Sequence, residues 1–296
     1  MSSILSVQKI AKNYGTVRAL NGISFEVEKG TVFGILGPNG SGKTTLLGIV
    51  MNVLKPTSGN YQLLGAGPAH DQRKLIGTLL ETPNFYHYLS AVQNLRIAAA
   101  IKGRGADDID RVLEIVNLSQ RKHSKFSTYS LGMKQRLAIA SCLLGNPEVL
   151  IFDEPTNGLD PVGIAEIREL IKKLNQQGKT IIMASHLLDE VEKVCTHVAI
   201  LKKGDLIASG DVNEILTNED IVEVAAANIE QLANVLRQMG GYTSMQVQEG
   251  QVQLFYPLGT ANMEAINRYC FNGGVVLNKL QVKKKSLETK FFELTN

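Results

Sequence analysis

The sequence predicts an α/β fold with a mainly parallel sheet, followed by a small α+β unit. The first observation is the segment 31–47, which reads as a strand, a glycine-rich turn and the start of a helix. The second is the alternation of short apolar segments with helical patterns around it, which is typical of parallel sheets. The third is a change of composition after about Asn218, beyond which the segments follow the order β-α-β-β-α-β of a ferredoxin-like unit.

Short strands are predicted on both sides of the glycine-rich turn. Residues 4–14 and 23–28 are rich in β-forming residues, and 23–28 alternates between apolar and polar side chains. Residues 61–64 and 75–80 predict two more strands after the first helix. The sheet structure is therefore expected to begin before the turn and to continue beyond it.

A helical pattern occupies about residues 84 to 146. Residues 148–152 then form a continuous apolar segment, as expected of a strand buried on both faces of a parallel sheet. The elements predicted around that strand are helices 94–101, 107–117, 130–144, 162–177 and 187–195 and strands 180–184, 198–201 and 206–208. Gly178 follows the helix 162–177 and is placed to cap it.

The smaller unit is predicted from the same kinds of pattern. Its elements are strands 221–227, 244–248, 251–256 and 275–282 and helices 229–239, 261–271 and 287–294. Glu249 and Gly250 form the turn between the second and third of these strands. The chain is therefore predicted to contain two domains, over 1–217 and 218–296.

Composition excludes several classes of protein. Charged residues are 20% and hydrophobic residues 44% of the chain, which is ordinary for a soluble globular protein. The net charge of +3 is too small to indicate nucleic acid binding, and no stretch approaches the ~18 apolar residues of a transmembrane helix. The first residues lack the regions of a signal peptide. The three cysteines are far apart and odd in number, which indicates reduced thiols in the cytosol.

The glycine-rich turn matches the phosphate-binding P-loop, G-x-x-x-x-G-K-[ST]. Its glycines let backbone N–H groups approach phosphate oxygens, and the following helix directs the positive end of its dipole at the same anion. Lys43 is predicted to reach the β- and γ-phosphates of a nucleotide, Thr44 to bind Mg²⁺ and Thr45 to contact the α-phosphate. The predicted nucleotide-binding residues of the turn are Gly37, Pro38, Asn39, Gly40, Ser41, Gly42, Lys43, Thr44 and Thr45. The alternative is a turn that matches by chance, which the strand before it and the helix after it disfavour.

Two carboxylates follow the apolar strand 148–152. Ligands bind at the carboxyl ends of the strands in an open α/β sheet, so Asp153 and Glu154 are expected beside the P-loop. Asp153 is predicted to hold Mg²⁺, usually through water, and Glu154 to act as the general base that activates the attacking water. The alternative is a pair of acids that only begins a helix, and the strand and P-loop before them favour the catalytic interpretation.

Six segments together resemble the ATP-binding subunits of ABC transporters, in the order and spacing of that family. They are the aromatic residue Tyr14, the P-loop, a signature-like segment at 129–136, a Walker B strand ending in Asp153 and Glu154, a D-loop-like segment at 158–160 and a switch-histidine segment at 185–186. The resemblance covers roughly residues 1–215. It implies a P-loop NTPase domain of the ABC ATPase type, with an N-terminal antiparallel β subdomain and a helical subdomain at about 84–146.

The resemblance also implies roles for residues outside the P-loop. Tyr14 would stack on adenine, although alone it reads as an ordinary strand aromatic. Ser130 and Gly132 would bind the γ-phosphate of ATP held by the opposite subunit, and Ser130 also reads as a helix N-cap. Asp160, in the D-loop, is assigned to the nucleotide site. His186 would contact the γ-phosphate and orient the attacking water, whereas alone it reads as a structural histidine.

Two positions depart from the family pattern. Leu131 replaces the first glycine of the signature, a variant that resembles exporters of the drug- and bacteriocin-resistance kind. Glu81 stands where the family has a glutamine that contacts Mg²⁺ and the attacking water. A carboxylate can bind Mg²⁺ as a hard oxygen donor, so the predicted metal ligands are Thr44, Asp153 and Glu81. The same substitution resembles the ATPase subunits of lantibiotic-immunity and bacitracin-resistance exporters.

The sequence therefore predicts a Mg²⁺-dependent ATPase that powers an ABC exporter of antimicrobial peptides or drugs. Its catalytic residues are predicted to be Glu154, His186 and Lys43, and its cofactors ATP and Mg²⁺. The predicted partners are a separate transmembrane permease and a second ATPase subunit, identical or different, and no nucleic acid. The protein is expected in the cytoplasm, held peripherally on the inner face of the cell membrane by the permease.

Two other functions stay open, together with one question about a surface. A soluble ATP-driven switch in translation or DNA maintenance is disfavoured by the single P-loop and the small net charge. A regulatory ATP-binding module with little turnover is suggested by Leu131 and Glu81. Phe85, Tyr86 and Tyr88 would either line a contact with the permease or pack inside the helical subdomain.

Overall fold

The structure of the chain is a computed structural model. It describes residues 3–66, 72–80, 84–216, 219–284 and 291. Contacts between residues divide the chain into two compact units, Met1–Gly210 and Asp211–Asn296. Each unit has its own sheet structure and its own cluster of buried apolar side chains.

The larger unit combines two sheets with helices. Its strands are β1 (Ser3–Tyr14), β2 (Val17–Glu28), β3 (Val32–Leu36), β4 (Ser58–Leu63), β5 (Ile76–Leu79), β6 (Val149–Asp153), β7 (Thr180–Ser185), β8 (His197–Lys202) and β9 (Asp205–Asp211). Its α-helices are α1 (Lys43–Val50), α2 (Gln72–Leu75), α3 (Ala91–Lys102), α4 (Ile109–Ile115), α5 (Leu131–Leu143), α6 (Pro161–Gln176) and α7 (Leu188–Val194). No helix among the described residues has the length and apolar character that crossing a membrane requires.

The N-terminal sheet is antiparallel, with the strand order β2-β1-β4. Strands β1 and β2 form a hairpin in which Tyr14 lies opposite Val17, and Gly15 in the turn has a φ of 59°. Strand β2 begins at Val17, whereas the alternating pattern predicted a start at Ile23. The earlier part of β2 lacks alternation because pairing with β1, more than side-chain pattern, holds it in the sheet.

The second sheet has the order β5-β6-β7-β3-β8-β9. The pairs from β5 to β8 are parallel. Every residue of β3, β6 and β7 is buried, which explains why these strands are continuous apolar segments. Because β3 and β6 both neighbour β7, their carboxyl ends lie near each other at one edge of the sheet, where ligands bind in such folds.

Strand β5 is shorter than predicted, since helix α2 extends to Leu75 and the strand covers Ile76–Leu79. A Cβ at Gly77 would lie only 2.3 Å from the carbonyl oxygen of Cys142, so β5 packs directly on the backbone of α5. This close approach depends on the tertiary structure and has no counterpart in the local pattern.

Helices α3 to α5 lie between β5 and β6 in the sequence and agree with the predicted helical region. Helix α3 begins at Ser90, which forms a capping box with Gln93. Helix α5 begins at Ser130, whose Oγ accepts a hydrogen bond from Met133 N at 3.3 Å. Sequence-encoded caps thus set the start of both helices.

The smaller unit has a ferredoxin-like topology. Its elements are α8 (Val212–Leu216), β10 (Glu219–Ala226), α9 (Ile229–Met239), β11 (Ser244–Gln248), β12 (Gln251–Pro257), α10 (Met263–Asn272) and β13 (Leu277–Lys284). The four strands form an antiparallel sheet in the order β11-β12-β10-β13, and α9 and α10 share one buried core with it. The predicted helix 287–294 lies outside the described residues, except for Phe291, which is helical.

Candidate active site

The P-loop between β3 and α1 is shaped by two glycines. Gly42 has a φ of 105°, and a Cβ at this position would lie 2.6 Å from the carbonyl oxygen of Ala19. Gly40 has a φ of 80°. Glycine tolerates both the left-handed backbone and the close approach, which a residue with a side chain does not. The loop can therefore direct its N–H groups at an anion beside the start of α1.

A cavity of about 600 Å³ lies against this loop, within the roughly 300–1,000 Å³ of typical small-molecule sites. Its described lining residues are Val17, Arg18, Ala19, Asn39, Gly40, Gly42, Lys43, Thr44, Thr45, Leu131, Gln135, Asp153, Glu154 and Asn157. The fold thus brings most of the predicted P-loop residues and both predicted carboxylates to one cavity.

Lys43 is the buried cation of this cavity, with 6% of its surface exposed. Its Nζ donates hydrogen bonds to the carbonyl oxygens of Gly37 at 2.8 Å and Pro38 at 3.3 Å. The same Nζ lies 3.6 Å from Glu154 Oε1, which is an ion pair rather than a short hydrogen bond. These contacts hold the ammonium group at the P-loop and direct it towards Glu154.

Glu154 leaves the end of β6 in an unusual backbone conformation. Its φ is 49°, in the left-handed region that residues with a Cβ rarely adopt. Its N–H donates to the carbonyl oxygen of Ala184 at 3.0 Å, and its own carbonyl oxygen accepts from Asn157 N at 3.1 Å. Such a conformation costs about 1–3 kcal/mol and is concentrated at functional sites. Asp153, the residue before it, is fully buried and lines the same cavity.

His186 follows β7 and reaches the same carboxylate, with Nδ1 at 2.8 Å from Glu154 Oε2. An ionised carboxylate only accepts hydrogen bonds, so the imidazole donates from Nδ1 in this arrangement. Ser185 Oγ accepts a hydrogen bond from Leu187 N at 3.0 Å, which tightens the turn that carries His186. The two oxygens of Glu154 therefore contact Lys43 and His186 separately.

The polar groups at the cavity fit a nucleotide with Mg²⁺. Ser41 Oγ is buried and makes no hydrogen bond to any described residue, a position that suits a phosphate oxygen. The Thr44 hydroxyl and the Asp153 carboxylate line the cavity and are hard oxygen donors of the kind that Mg²⁺ takes alongside phosphate. In the described ranges, no group of three or more His, Cys, Asp or Glu side chains is placed to hold a metal ion by itself.

Tyr14 is not among the described residues that line the cavity. Its side chain is 48% exposed, and Lys12 Nζ lies 5.1 Å from the centre of its ring. Glu81 lies outside the residues that the structure describes. Adenine stacking by Tyr14 and Mg²⁺ binding by Glu81 therefore stay predictions.

Seven more predicted residues are absent from the described lining of the cavity: Gly37, Pro38, Ser41, Ser130, Gly132, Asp160 and His186. Ser130 is exposed at the start of α5, and a Cβ at Gly132 would meet no other atom within 4 Å. Asp160 caps α6, since its Oδ1 accepts a hydrogen bond from Gly163 N at 2.9 Å. The structure places Ser130, Gly132 and Asp160 at the starts of α5 and α6.

The described lining also includes residues that the sequence analysis did not single out: Val17, Arg18, Ala19, Gln135 and Asn157. The first three belong to the early part of β2, and Gly15, between two β-forming segments, was the signal for a hairpin that would have found them. Gln135 lies four residues after Leu131 on α5, so the helical period places both on one face. Leu131 itself is half-exposed and lines the cavity.

Comparisons with known proteins point to one family. A family model described as ABC transporter matches residues 20–157. The bacitracin transport ATP-binding protein BcrA of Enterococcus faecalis is 33% identical over 300 residues, which cover 99% of this chain and 97% of that protein. The lantibiotic transport ATP-binding protein SrtF of Streptococcus pyogenes is 35% identical over 226 residues, 74% of this chain and 99% of that protein. The solved structure of cbiO1 from Clostridium perfringens, part of the ABC transporter complex cbiONQ, has a TM-score of 0.67 and 33% identity and covers 73% of this chain and 91% of that one.

The similarity extends over nearly the whole chain in BcrA, and the likeness to cbiO1 confirms the predicted fold of the larger unit. ABC ATP-binding subunits hydrolyse ATP in transport, dimerise and work with transmembrane permease partners. The chain therefore belongs to the ABC transporter family, as an ATP-binding subunit that powers transport across a membrane.

Proposed function

We propose that this subunit hydrolyses ATP in a Mg²⁺-dependent reaction with Glu154 as the general base. The observation that carries the proposal is the position of the Glu154 carboxylate, which lies 3.6 Å from Lys43 Nζ through one oxygen and 2.8 Å from His186 Nδ1 through the other. Glu154 also lines the P-loop cavity. A carboxylate held in place to accept a proton contributes about 10²–10⁴-fold to the rate.

The three catalytic residues have separate tasks. Lys43 binds the phosphates and stabilises the charge that develops on the transferred phosphoryl group. Glu154 accepts the proton of the attacking water. His186 orients the Glu154 carboxylate through Nδ1 and is proposed to contact the γ-phosphate. Chemistry requires all three, because water, base and phosphate must be aligned at once.

The remaining groups bind the nucleotide and its metal. Thr44, Asp153 and Glu81 are the proposed Mg²⁺ ligands, since all three are hard oxygen donors. Mg²⁺, when bound, neutralises charge on the phosphate oxygens. Thr45 contacts the α-phosphate, and Tyr14, at the exposed end of β1, stacks on adenine.

A second ATPase subunit, identical or different, completes each site. Ser130 is exposed and Gly132 is surrounded by open space at the start of α5. These positions suit a γ-phosphate held by the P-loop of another chain, since helix N-termini bind anions. Asp160, at the start of α6, is proposed to belong to the same nucleotide site.

A separate transmembrane permease is the proposed partner, and it holds the subunit on the cytoplasmic face of the cell membrane. A groove of about 360 Å³ lies beside α3 and is lined by Asn84, Phe85, Tyr86, Asn94, Ile97, Ala98 and Ile101. Tyr86 and Tyr88 are 51% and 68% exposed, which suits contact with a partner. Phe85 instead packs edge-on against Phe126, with ring centres 5.3 Å apart.

We propose export of an antimicrobial peptide, because the relatives BcrA and SrtF are named for bacitracin and lantibiotic transport.

The two-domain division is part of the proposal. An ATPase domain over 1–217 is followed by an accessory domain over 218–296. This division is supported by the contacts between residues, which group Met1–Gly210 and Asp211–Asn296 into two compact units.

Turnover of ATP by the full chain, with and without Mg²⁺, tests the chemistry. Glu154→Gln should lower kcat by about 100-fold or more, because an amide cannot accept the proton. ATP binding should persist, since the P-loop is unchanged. A wild-type rate equal to that of Glu154→Gln would exclude hydrolysis by this base.

Purification of the tagged chain from its own membranes tests the partner. A polytopic membrane protein should co-purify, and replacing both Tyr86 and Tyr88 by Ala should weaken its recovery. Val53→Ala is the control, because Val53 is 58% exposed and does not line the groove. This substitution should leave the recovery of the membrane protein unchanged. Recovery of ribosomes or DNA in place of a membrane protein would contradict the transport function.

A further inference from the structure

A bidentate ion pair joins helices α6 and α7. Arg168 Nη2 donates a hydrogen bond to Glu190 Oε1 at 2.8 Å, and Arg168 Nε donates to Glu190 Oε2 at 3.1 Å. The two side chains are 21% and 11% exposed. Two parallel hydrogen bonds between a guanidinium and a carboxylate fix orientation as well as distance. The pair therefore sets how α6 and α7 lie relative to each other.

Helix α7 begins at Leu188, directly after the turn that carries His186. A helix of seven residues has little stability of its own and takes its position from its contacts. Val191 packs so closely on β3 that a Cβ at Gly34 would lie 2.8 Å from Val191 Cγ1. This apolar contact sets the depth of α7 on the sheet, whereas the ion pair of Glu190 limits its rotation and sliding.

Helix α6 follows Glu154, the residue that His186 contacts. The short segment after Glu154 leads to Asp160, which caps α6, and Arg168 lies about two turns into that helix. Glu154 is thus followed by α6, and His186 is followed by α7. The Arg168–Glu190 pair joins the two helices that lead away from the 2.8 Å contact between Glu154 and His186.

Neither Arg168 nor Glu190 is among the described residues that line the P-loop cavity. Arg168 and Glu190 are paired with each other, so they act on the reaction through the position of His186. We infer that Arg168 and Glu190 are positioning residues that hold His186 Nδ1 at Glu154, so that losing the pair lowers turnover without weakening ATP binding. This inference rests on the ATPase function proposed above.

Steady-state kinetics of the full chain test this role. Arg168→Met should lower kcat by about 5- to 20-fold, in the range of couplings between neighbouring residues, and leave KM for ATP within about twofold. Arg168→Lys should restore part of kcat, since it keeps the charge but loses the second hydrogen bond. Lys172→Met is the matched control, because Lys172 forms an exposed ion pair with Glu169 on the same helix at 3.2 Å and should leave kcat unchanged.

A double-mutant cycle with His186→Ala decides whether the effect passes through the histidine. Arg168→Met should cause no further loss in the His186→Ala background. An equal loss in both backgrounds, or a loss confined to KM, would overturn the positioning role. If Arg168→Met does not fold, Glu190→Gln carries the same cycle, because it keeps the shape of the side chain while removing its charge.

The same assay separates this inference from the function on which it rests. A wild-type rate no higher than that of Glu154→Gln means that the proposed ATPase chemistry is wrong. A wild-type rate well above Glu154→Gln, with Arg168→Met unchanged from wild type, overturns the positioning role alone.

Discussion

A buried or partly buried glutamate stands at the centre of a charged cluster in each unit, and the two clusters differ in what surrounds them. In the larger unit, Glu154 contacts Lys43 and His186, one with each carboxylate oxygen. It borders a cavity of about 600 Å³ and has a backbone φ of 49°. Its surroundings leave space for a substrate beside the carboxylate.

In the smaller unit, Glu223 lies on the central strand β10 with 3% of its surface exposed. Lys279 Nζ donates to one of its oxygens at 2.7 Å, and the amides of Gln281 and Gln253 donate at 2.9 and 3.2 Å. These hydrogen bonds, that of Lys279 above all, lower the pKa of Glu223 to about 2. The carboxylate is surrounded by protein donors on neighbouring strands.

The difference indicates that a buried charge by itself does not mark a catalytic site. Glu223 has its charge balanced by fixed donors, so it stabilises the pairing of β10 with β12 and β13. Glu154 combines a strained backbone, contacts with Lys43 and His186 on separate oxygens, and an adjacent cavity. Substitution of Glu154 is therefore expected to lower turnover with little effect on the free energy of unfolding. Substitution of Glu223 is expected to lower the free energy of unfolding with little effect on turnover.

The largest effect that would test this contrast is expected at Lys43. Lys43→Ala should lower kcat/KM for ATP by about 10³-fold, because charge stabilisation and phosphate binding are lost together. Steady-state kinetics measure this, with Glu223→Gln as the control, which should stay within about twofold of wild type. A similar loss in both variants would break the contrast between the two clusters.

A smaller effect is expected at Glu223. Glu223→Gln should lower the free energy of unfolding of the smaller unit by about 1–3 kcal/mol. Lys279 loses its charged partner, and the new amide N–H₂ group faces neighbouring N–H donors in place of an acceptor oxygen. Hydrogen exchange of peptides from β10, β12 and β13 in the full chain measures this opening. Glu249→Gln, in the exposed turn between β11 and β12, should show no change. Protection in Glu223→Gln equal to wild type would show that the cluster does not stabilise the sheet.

The smallest difference is expected at acid pH. The pKa of Glu223 is lowered from 4.5 to about 2 in the folded state, so its contribution is complete above pH 4.5 and is lost as the pH falls from about 4.5 to about 2. The difference in protection between wild type and Glu223→Gln should therefore shrink between pH 7 and pH 3, compared at matched pH. A difference that grows on acidification would contradict the assignment.

Local patterns predicted the elements that are buried on every side or closed by caps. Strands β3, β6 and β7 were predicted to within about one residue, because a short, mostly apolar segment between turns is typical of a strand buried on both faces of a sheet. The start of α5 at Ser130 followed from its cap. The early part of β2 was missed because its side chains do not alternate between apolar and polar. Its pairing with β1 holds it in the sheet instead.

Only part of the candidate site could be predicted, because local patterns do not indicate contacts between distant segments. Lys43, Asp153 and Glu154 belong to motifs whose spacing carries their chemistry, so their cavity was expected. The contacts of Arg168 with Glu190 and of Lys279 with Glu223 join residues 22 and 56 positions apart, and no local pattern indicates them.

By itself, the sequence determined the phosphate-binding loop, the buried strands that lead to it and away from it, and the family to which the chain belongs. These features depend on residue types at fixed short spacings, and such spacings determine the local backbone structure. The tertiary structure alone decided that Glu154 contacts Lys43 and His186 on separate oxygens and that Glu223 is enclosed by donors. The physical reason is that sheet order and helix packing, which bring distant segments together, set the partners of a charged group and the space beside it.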